Sequence, residues 1–431
     1  KSLSETFAVT GHPVIQDICL IKGSGPKDVT PKKLEIYVDR MCGAAIMRGA
    51  QLYAKGILGS NSKNFEVNDE CSVWMDLAGK CLRGRAEPYE KSKVFLANGR
   101  LNVRRQFVFS LETTPSGVGV FITEPIWKQP SLNQVFGDWG FVQNLPSVLC
   151  GHVLDCQRGD FVLDMCAAPG GKATHVAQIL KQKRGGMVIC LDQNPTRIKE
   201  LKTNIELFGL SDYASCFQSD STKLLRSSAN TLPNKSDIEP HQNITLGEYS
   251  THSLKPPFSV ETFDKILLDA PCSGSGQRPG VREFPEKHLK AFPVQQRKLL
   301  ETAVELLKPG GILLYSTCTL RDEENEQQVK TVLDRWPFMK LVDQVPCISP
   351  MKISNSGTCL TDEQQQKLQK FDPRFLCNFH SEVDCLSHSK GYGDLDLFDW
   401  RNISRQTEYL NPEQDSIGFF IAKFIKIGCK L

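Results

Sequence analysis

Along this chain the hydrophobic rhythm changes once. From residue 31 to about residue 125 the apolar runs are short and the turn residues frequent. Leu34-Glu35-Ile36-Tyr37-Val38 leads into a small-residue stretch at 42–50. Short β-rich runs follow at 51–58, 70–77, 93–96 and 117–123, with Gly59, Gly84, Asn98-Gly99 and Gly117 between or within them. Many short strands bounded by turn signals predict a small barrel.

Beyond Pro146 the pattern becomes a long alternation of strands and helices. Strand-like runs at 160–164, 187–192, 214–220, 265–269 and 312–318 alternate with helical spacing at 173–180, 197–208, 295–307 and 323–335. Ile198, Leu201, Ile205 and Phe208 recur on one helical face, and Leu299, Leu300, Ala303, Val304, Leu306 and Leu307 form another. Lys308-Pro309-Gly310-Gly311 should end the latter helix. A late strand is expected at 415–423. This texture predicts an α/β domain with a mostly parallel sheet. Residues 126–146 read as a connector and 342–405 as irregular. The Ser, Asn, Pro, Thr and Lys content of 226–255 reads as a flexible insertion. Three segments are therefore expected: 1–30, an N-terminal remnant packing on the catalytic domain; 31–125, a β-rich binding domain; and 126–431, the catalytic domain.

Composition narrows the class. At 431 residues, with 40% hydrophobic and 23% charged residues, the chain is long enough for two or more globular domains. No apolar run approaches the roughly 18 residues that span a bilayer, and no membrane partner is expected. Lys1-Ser2-Leu3-Ser4-Glu5 does not resemble a secretory signal. Sixteen cysteines without C-x-x-C pairs point to reduced thiols and a cytoplasmic setting. The net charge of +3 names no partner, but 31–125 carries 14 Lys and Arg against 10 Asp and Glu, an excess that supports phosphate contact.

The chemistry concentrates at strand ends, where open α/β sheets bind ligands. Ile266-Leu267-Leu268 runs into Asp269 and then Pro271-Cys272-Ser273-Gly274. Ile312-Leu313-Leu314-Tyr315 runs into Ser316-Thr317-Cys318. Upstream, the small residues Ala167, Ala168, Pro169, Gly170 and Gly171, between Cys166 and Lys172, follow one strand and open a helix. Such a turn lets a ligand approach the backbone at a helix N-terminus. It is not a G-x-G-x-x-G fingerprint. Asp192 ends the next strand and suits ribose hydroxyls, and Asp220 ends the third and suits an adenine. Three acids at successive strand ends exceed what ordinary strand capping explains. Cys377, His380, Cys385 and His388 form a C-x2-H-x4-C-x2-H cluster of zinc-ligand types. Its pairs lie closer together than in common fingers, and no metal is expected.

CAAPGGK at 166–172, DAPCSG at 269–274 and STCT at 316–319 resemble, in order and spacing, the motif set of the Sun-domain RNA cytosine-5 methyltransferases. QNLPS at 143–147 and ENE at 324–326 agree. Arg48, Gly49, Ala50, Tyr53 and Gly56 resemble the core of a PUA domain, an RNA-binding pseudo-barrel, so the chain looks like the PUA-containing, tRNA-methylating branch of that family. The resemblance implies a Rossmann-like class I fold and S-adenosylmethionine held by Cys166–Lys172, Asp192, Arg197, Asp220 and Asp269. It implies catalysis by Cys318, Cys272, Asp269 and Lys172. DNA cytosine-5 methyltransferases attack from the Pro-Cys motif. With both motifs present, the resemblance makes Cys318 the nucleophile and Cys272 the release aid. The implied target is a tRNA, at the 3′-strand cytosine of the first acceptor-stem pair. Arg48, Tyr53, Lys80 and Arg83 would dock its CCA end, with Tyr53 as barrel core the alternative. Methylation of mRNA or rRNA, or a catalytically silent RNA-binding protein, are the competing readings. A monomer is expected. Two departures stand out: the segment that precedes PUA in the family is missing, and the 226–255 loop is long.

Overall fold

The short apolar runs become strands that bury most of their side chains in the unit's core, as in Glu35–Val38 and Glu70–Asp76. In the computed structural model the described residues are 8–12, 15–22, 27–112, 114–127, 140–226, 255–277, 284–351, 359–372 and 417–428. They belong to two units, the described residues of the first ending at 127 and those of the second beginning at 140.

In the first unit β1 (Ala8–Gly11) pairs with β2 (Cys19–Lys22). A seven-stranded sheet follows, made from β3 (Glu35–Val38), β4 (Leu52–Tyr53), β5 (Ile57–Ser60), β6 (Glu70–Asp76), β7 (Arg85–Ala86), β8 (Lys93–Leu101) and β9 (Val118–Pro125). Its order is β4-β9-β8-β6-β3-β5-β7. Ile36, Val38, Leu52, Ile57, Val73 and Val120 fill its core. The small-residue stretch forms a helix, Arg40–Met47, whose N-terminus is capped by Asp39 accepting the Cys42 N–H at 2.7 Å. The described residues before 31 group with this unit. Asn98 Nδ2 donates to the Thr30 carbonyl at 2.9 Å, and the Lys27 N–H to Ile126 at 2.9 Å.

The second unit holds a sheet of β10 (Phe161–Asp164), β11 (Met187–Asp192), β12 (Ala214–Gln218), β13 (Phe263–Asp269), β14 (Leu307–Thr317), β15 (Met339–Leu341), β16 (Leu368–Phe371) and β17 (Phe419–Lys426). The order is β12-β11-β10-β13-β14-β17-β15, with β16 also on β17. From β12 to β14 every pairing is parallel, and β17 is antiparallel to β14. Strand order reverses between β10 and β13, which opens a crevice at their carboxyl ends. Helix Gly171–Gln182 follows β10 and helix Pro195–Leu207 follows β11. Leu163, Leu191, Leu268, Leu313 and Tyr315 are buried along the sheet.

Several elements depart from expectation. Helix Leu145–Leu154 occupies part of the expected connector, with Leu149, Cys150, Val153 and Leu154 buried. Helix Glu286–Leu306 starts well before residue 295 and absorbs Pro293. It passes directly into β14, so the Lys308–Gly311 run lies within a strand. The region expected to be irregular contains β16 and a helix, Asp362–Gln366, opened by a Thr361–Gln364 capping box. Most of the 226–255 insertion lies outside the described residues. No helix among the described residues is long and apolar enough to cross a membrane.

One close approach fixes a loop of the second unit. Gly418 donates its N–H to the Gly276 carbonyl at 2.7 Å, and Gly276 donates to the Cys318 carbonyl at 3.0 Å. A Cβ on Gly276 would collide with the Gly418 carbonyl, and one on Gly418 would lie 2.7 Å from the Gly276 Cα. Backbone cannot yield there as a side chain can. Gly276→Ala and Gly418→Ala should each cost about 1–3 kcal/mol of stability, read as a lowered urea midpoint; unchanged midpoints would mean that the loop relaxes freely.

Candidate active site

The parallel pairing of β13 with β14 puts Asp269 opposite Ser316. Ser316, fully buried, donates its hydroxyl to Asp269 Oδ1 at 2.8 Å. Lys172, in the first turn of helix Gly171–Gln182, reaches Asp269 Oδ2 with its Nζ at 2.7 Å and donates to Ser147 Oγ at 3.2 Å. Its ammonium also lies 5.2 Å from the Phe419 ring centroid. Burial works against this charge, but the Asp269 carboxylate outweighs it and holds the lysine above its ordinary pKa. The carboxylate is thus gripped at both oxygens by groups from two elements, and Ser147 on a third steadies the lysine.

Just past Asp269 and Ser316 the two chain segments bring their thiols together. Cys272 Sγ and Cys318 Sγ are 3.3 Å apart. The hydrogen bond from Cys272 is the main cause that lowers the Cys318 thiol below its ordinary value; burial and Asp269 oppose this, while the Gln277 amide and Lys172 assist it. The same bond, with burial, pushes Cys272 well up. The pair is therefore polarised, with Cys318 the more acidic of the two thiols. Ser273 and Ser275 hydroxyls both meet Thr319 Oγ1 at 2.8 Å, lacing the two segments together.

The turn 166–172 lies across the crevice from β13. Gly170 has φ +117, a conformation side chains rarely adopt. Asp192, buried at the end of β11, accepts the Asn194 N–H at 2.9 Å. Arg197 Nη1 lies 3.4 Å from Asp192, and the same guanidinium donates to the Ala168 carbonyl. Arg197 therefore ties the turn to Asp192. Asp220 lies two residues beyond β12 rather than at its end. Its Oδ1 accepts the Thr222 hydroxyl and N–H at 2.7 and 3.0 Å, and these bonds hold the carboxyl below its usual range. Cys166 is pushed well up by burial and by Asp164, Asp269 and Asp192. It offers backbone, not a reactive thiol.

The sequence reading missed Asp164. This residue ends β10, is fully buried, and accepts the Cys166 N–H at 3.3 Å. Burial, then the Asp269 carboxylate, raises its carboxyl to about 7. An acid ending the strand directly before the small-residue turn was the available signal.

In the first unit Arg48 caps the C-terminus of helix Arg40–Met47 and is exposed, as is Lys80. Tyr53 is 59% exposed and is not core. Arg83 departs from its expected role. Its guanidinium donates to the carbonyls of Lys55, Ile57 and Val108 at 3.2, 3.0 and 3.0 Å and packs on Phe109, so it braces this unit. An exposed aromatic that the sequence did not flag, Phe121, lies opposite exposed Arg100 in the β8–β9 pairing. Cys377, His380, Cys385 and His388 lie outside the described residues.

A five-stranded parallel sheet extended by an antiparallel strand, acids along its carboxyl edge and two facing thiols define a class I methyltransferase domain equipped for covalent catalysis. The chain belongs to the Sun-domain family of RNA cytosine-5 methyltransferases, which use S-adenosylmethionine. A family model described as 16S rRNA methyltransferase RsmB/F matches residues 151–425. The chain is 40% identical over 424 residues to the mouse protein named tRNA (cytosine(72)-C(5))-methyltransferase NSUN6, covering 98% of this chain and 80% of the mouse protein. It is 31% identical over 321 residues to the Pyrococcus horikoshii tRNA (cytosine(72)-C(5))-methyltransferase, covering 74% and 68%. The crystal structure of NSun6 from Pyrococcus horikoshii with SFG superposes with a TM-score of 0.68 at 26% identity, covering 99% of this chain and 86% of that one.

The polarised thiol pair makes a prediction that needs no substrate. Because the Cys272 bond is the leading cause of the lowered Cys318 pKa, losing it must raise that pKa. In Cys272→Ala the rate of Cys318 alkylation by iodoacetamide, followed by peptide mass spectrometry, should rise at higher pH than in the unmodified protein. A superimposable pH profile would show that the bond does not activate Cys318.

Proposed function

We propose that this chain is a tRNA cytosine-5 methyltransferase acting on the 3′-strand cytosine of the first acceptor-stem pair, beside the CCA end. The 3.3 Å contact between Cys272 and Cys318 carries the catalytic half of this reading. A catalytically silent RNA-binding protein has no use for a thiol made more acidic by a second thiol beside it. Similarity to NSUN6 proteins along nearly the whole chain supports the tRNA half. We read residues 31–125 as a PUA domain and 126–431 as the catalytic domain. A cytoplasmic setting fits the free state of every described cysteine.

The residues suit the cofactor. The turn 166–171 presents backbone at a helix N-terminus, Asp192 offers a buried carboxylate for hydroxyl donors, and Asp269 adds a second carboxylate at the same sheet edge. S-adenosylmethionine, when bound, supplies the electrophilic methyl group. The chain's own residues do the rest. Cys318 Sγ adds to carbon 6 of the flipped cytosine, which makes carbon 5 nucleophilic. Asp269, held by Lys172 and Ser316, faces ring nitrogen 3 and the exocyclic amine and stabilises the adduct. After methylation, with Cys318 bonded to carbon 6, Cys272 passes its own proton to solvent and as a thiolate takes the carbon-5 proton. The electron pair of that C–H bond re-forms the 5,6 double bond, and the carbon 6–sulfur bond breaks to return Cys318.

Labelled methyl transfer to tRNA transcripts tests the reaction. Cys318→Ala should abolish both methylation and the covalent complex. Cys272→Ala should leave a protein–RNA adduct that survives denaturing gels. An adduct in Cys318→Ala but not in Cys272→Ala would exchange the two roles, and transfer to rRNA or mRNA fragments but not to tRNA would replace the substrate class.

A terminal pair is the cheapest to open, and the freed CCA end then needs a dock. Exposed Tyr53 and Arg48, with Lys80, fit single-strand recognition by stacking and phosphate contact. Removing CCA from the tRNA should abolish most methylation, and Arg48→Ala should weaken use of intact tRNA while leaving the melting temperature unchanged. Equal rates with and without CCA would remove the dock but not the chemistry at Cys318.

A further inference from the structure

The two cysteines lie on different segments, so something must fix their spacing. The adjacent residues Glu324 and Asn325 lie under both. Glu324 is fully buried, and its Oε2 accepts the Ser273 N–H at 2.9 Å and Gln296 Nε2 at 3.1 Å. Gln296 Nε2 also donates to the Pro271 carbonyl at 2.9 Å. One carboxylate thus holds the residues on both sides of Cys272. Asn325, also fully buried, does the same for the other thiol. Its Oδ1 accepts the Thr317 hydroxyl at 2.5 Å, and its Nδ2 donates to the Thr319 carbonyl at 3.0 Å. Those are the neighbours of Cys318. The Tyr315 hydroxyl donates to the Glu324 carbonyl at 2.6 Å and pins this pair to β14.

We propose that Glu324 and Asn325 are positioning residues with separate duties, Glu324 placing Cys272 for adduct release and Asn325 placing Cys318 for attack. The inference rests on the thiol roles proposed above. Neither side chain touches the reacting atoms. Each acts through the backbone that carries one sulfur, and their peptide linkage couples the two placements. A general structural role would lower all steps together. Separate placement predicts defects of opposite sign in one observable, the covalent complex.

The test uses the full chain with tRNA and S-adenosylmethionine, and the isosteric variants Glu324→Gln and Asn325→Asp. Misplacing a reacting group by about 1 Å costs up to about a hundredfold in rate. In single-turnover experiments Glu324→Gln should form the adduct at nearly the normal rate and release it roughly ten- to a hundredfold more slowly, so adduct accumulates. It should add nothing to Cys272→Ala. Asn325→Asp should slow adduct formation by a similar factor and accumulate none. Should either variant lose its cooperative melt, Gln296→Leu and Thr317→Val cut the same two clamps from their other ends and should give the same opposite signs. Matching losses in formation and release for both variants would overturn the inference. If Cys272→Ala itself traps no adduct, the assignment of thiol roles falls. If it traps adduct while Glu324→Gln and Gln296→Leu do not, only the positioning inference falls.

Discussion

Two sulfur atoms 3.3 Å apart, on residues 46 positions apart, are the constraint around which the second unit is built. Parallel pairing of β13 with β14 meets it most simply. Parallel neighbours in register deliver their outgoing segments to the same sheet edge, whereas an antiparallel pair would send them to opposite edges. The Asp269–Ser316 pairing sets the register, and the two cysteines follow within three residues. The Gly276–Gly418 backbone contact and the serine–threonine hydroxyl bonds then hold the segments from the far side. A one-residue slip of β14 would turn Ser316 away from Asp269 and move Cys318 with it.

Charge imposes a second constraint. Asp164 is buried beside the Asp269 carboxylate, and Lys172 is the ammonium that grips Asp269. Burial, then the neighbouring Asp269 carboxylate, raises the Asp164 carboxyl to about 7. Asp269 is paired with Lys172 at one oxygen and Ser316 at the other. A carboxylate fixed at both oxygens costs little reorganisation when a base arrives beside it, which is what electrostatic stabilisation of an adduct needs.

The parts legible in the sequence were those whose chemistry is local. A strand ending in an acid, a turn of small residues and a thiol after an apolar run each carry their own signature, and β11 was read to the residue. Elements defined by distant partners were less legible. Helix Leu145–Leu154 is apolar on nearly every side because it is buried nearly all round, so it shows no stripe. Helix Arg40–Met47 is too rich in Gly and Ala to show one. Arg83 looked like a phosphate contact because charge alone cannot reveal three carbonyls waiting for it. ENE was visible as a motif, but its partners, Gln296, Ser273, Thr317 and Thr319, lie apart from it in the chain and meet it only in the folded unit.

The cysteines show why residue type alone does not make a nucleophile. Cys42, Cys71, Cys150 and Cys156 are all pushed up to about 12, and burial is the leading cause in each. Cys318 is as enclosed as several of these, yet it is the described cysteine whose thiol moves down. The difference lies in what surrounds the sulfur. A neighbouring thiol, an amide and an ammonium stabilise negative charge on Cys318, whereas at Cys150 and Cys156 nearby lysines do not overcome burial. Cys272 pays for this polarity by holding its own proton more tightly. A thiol that keeps its proton is a poor competitor for the base carbon. The division of labour between two chemically identical side chains therefore follows from a single hydrogen bond and its asymmetric surroundings.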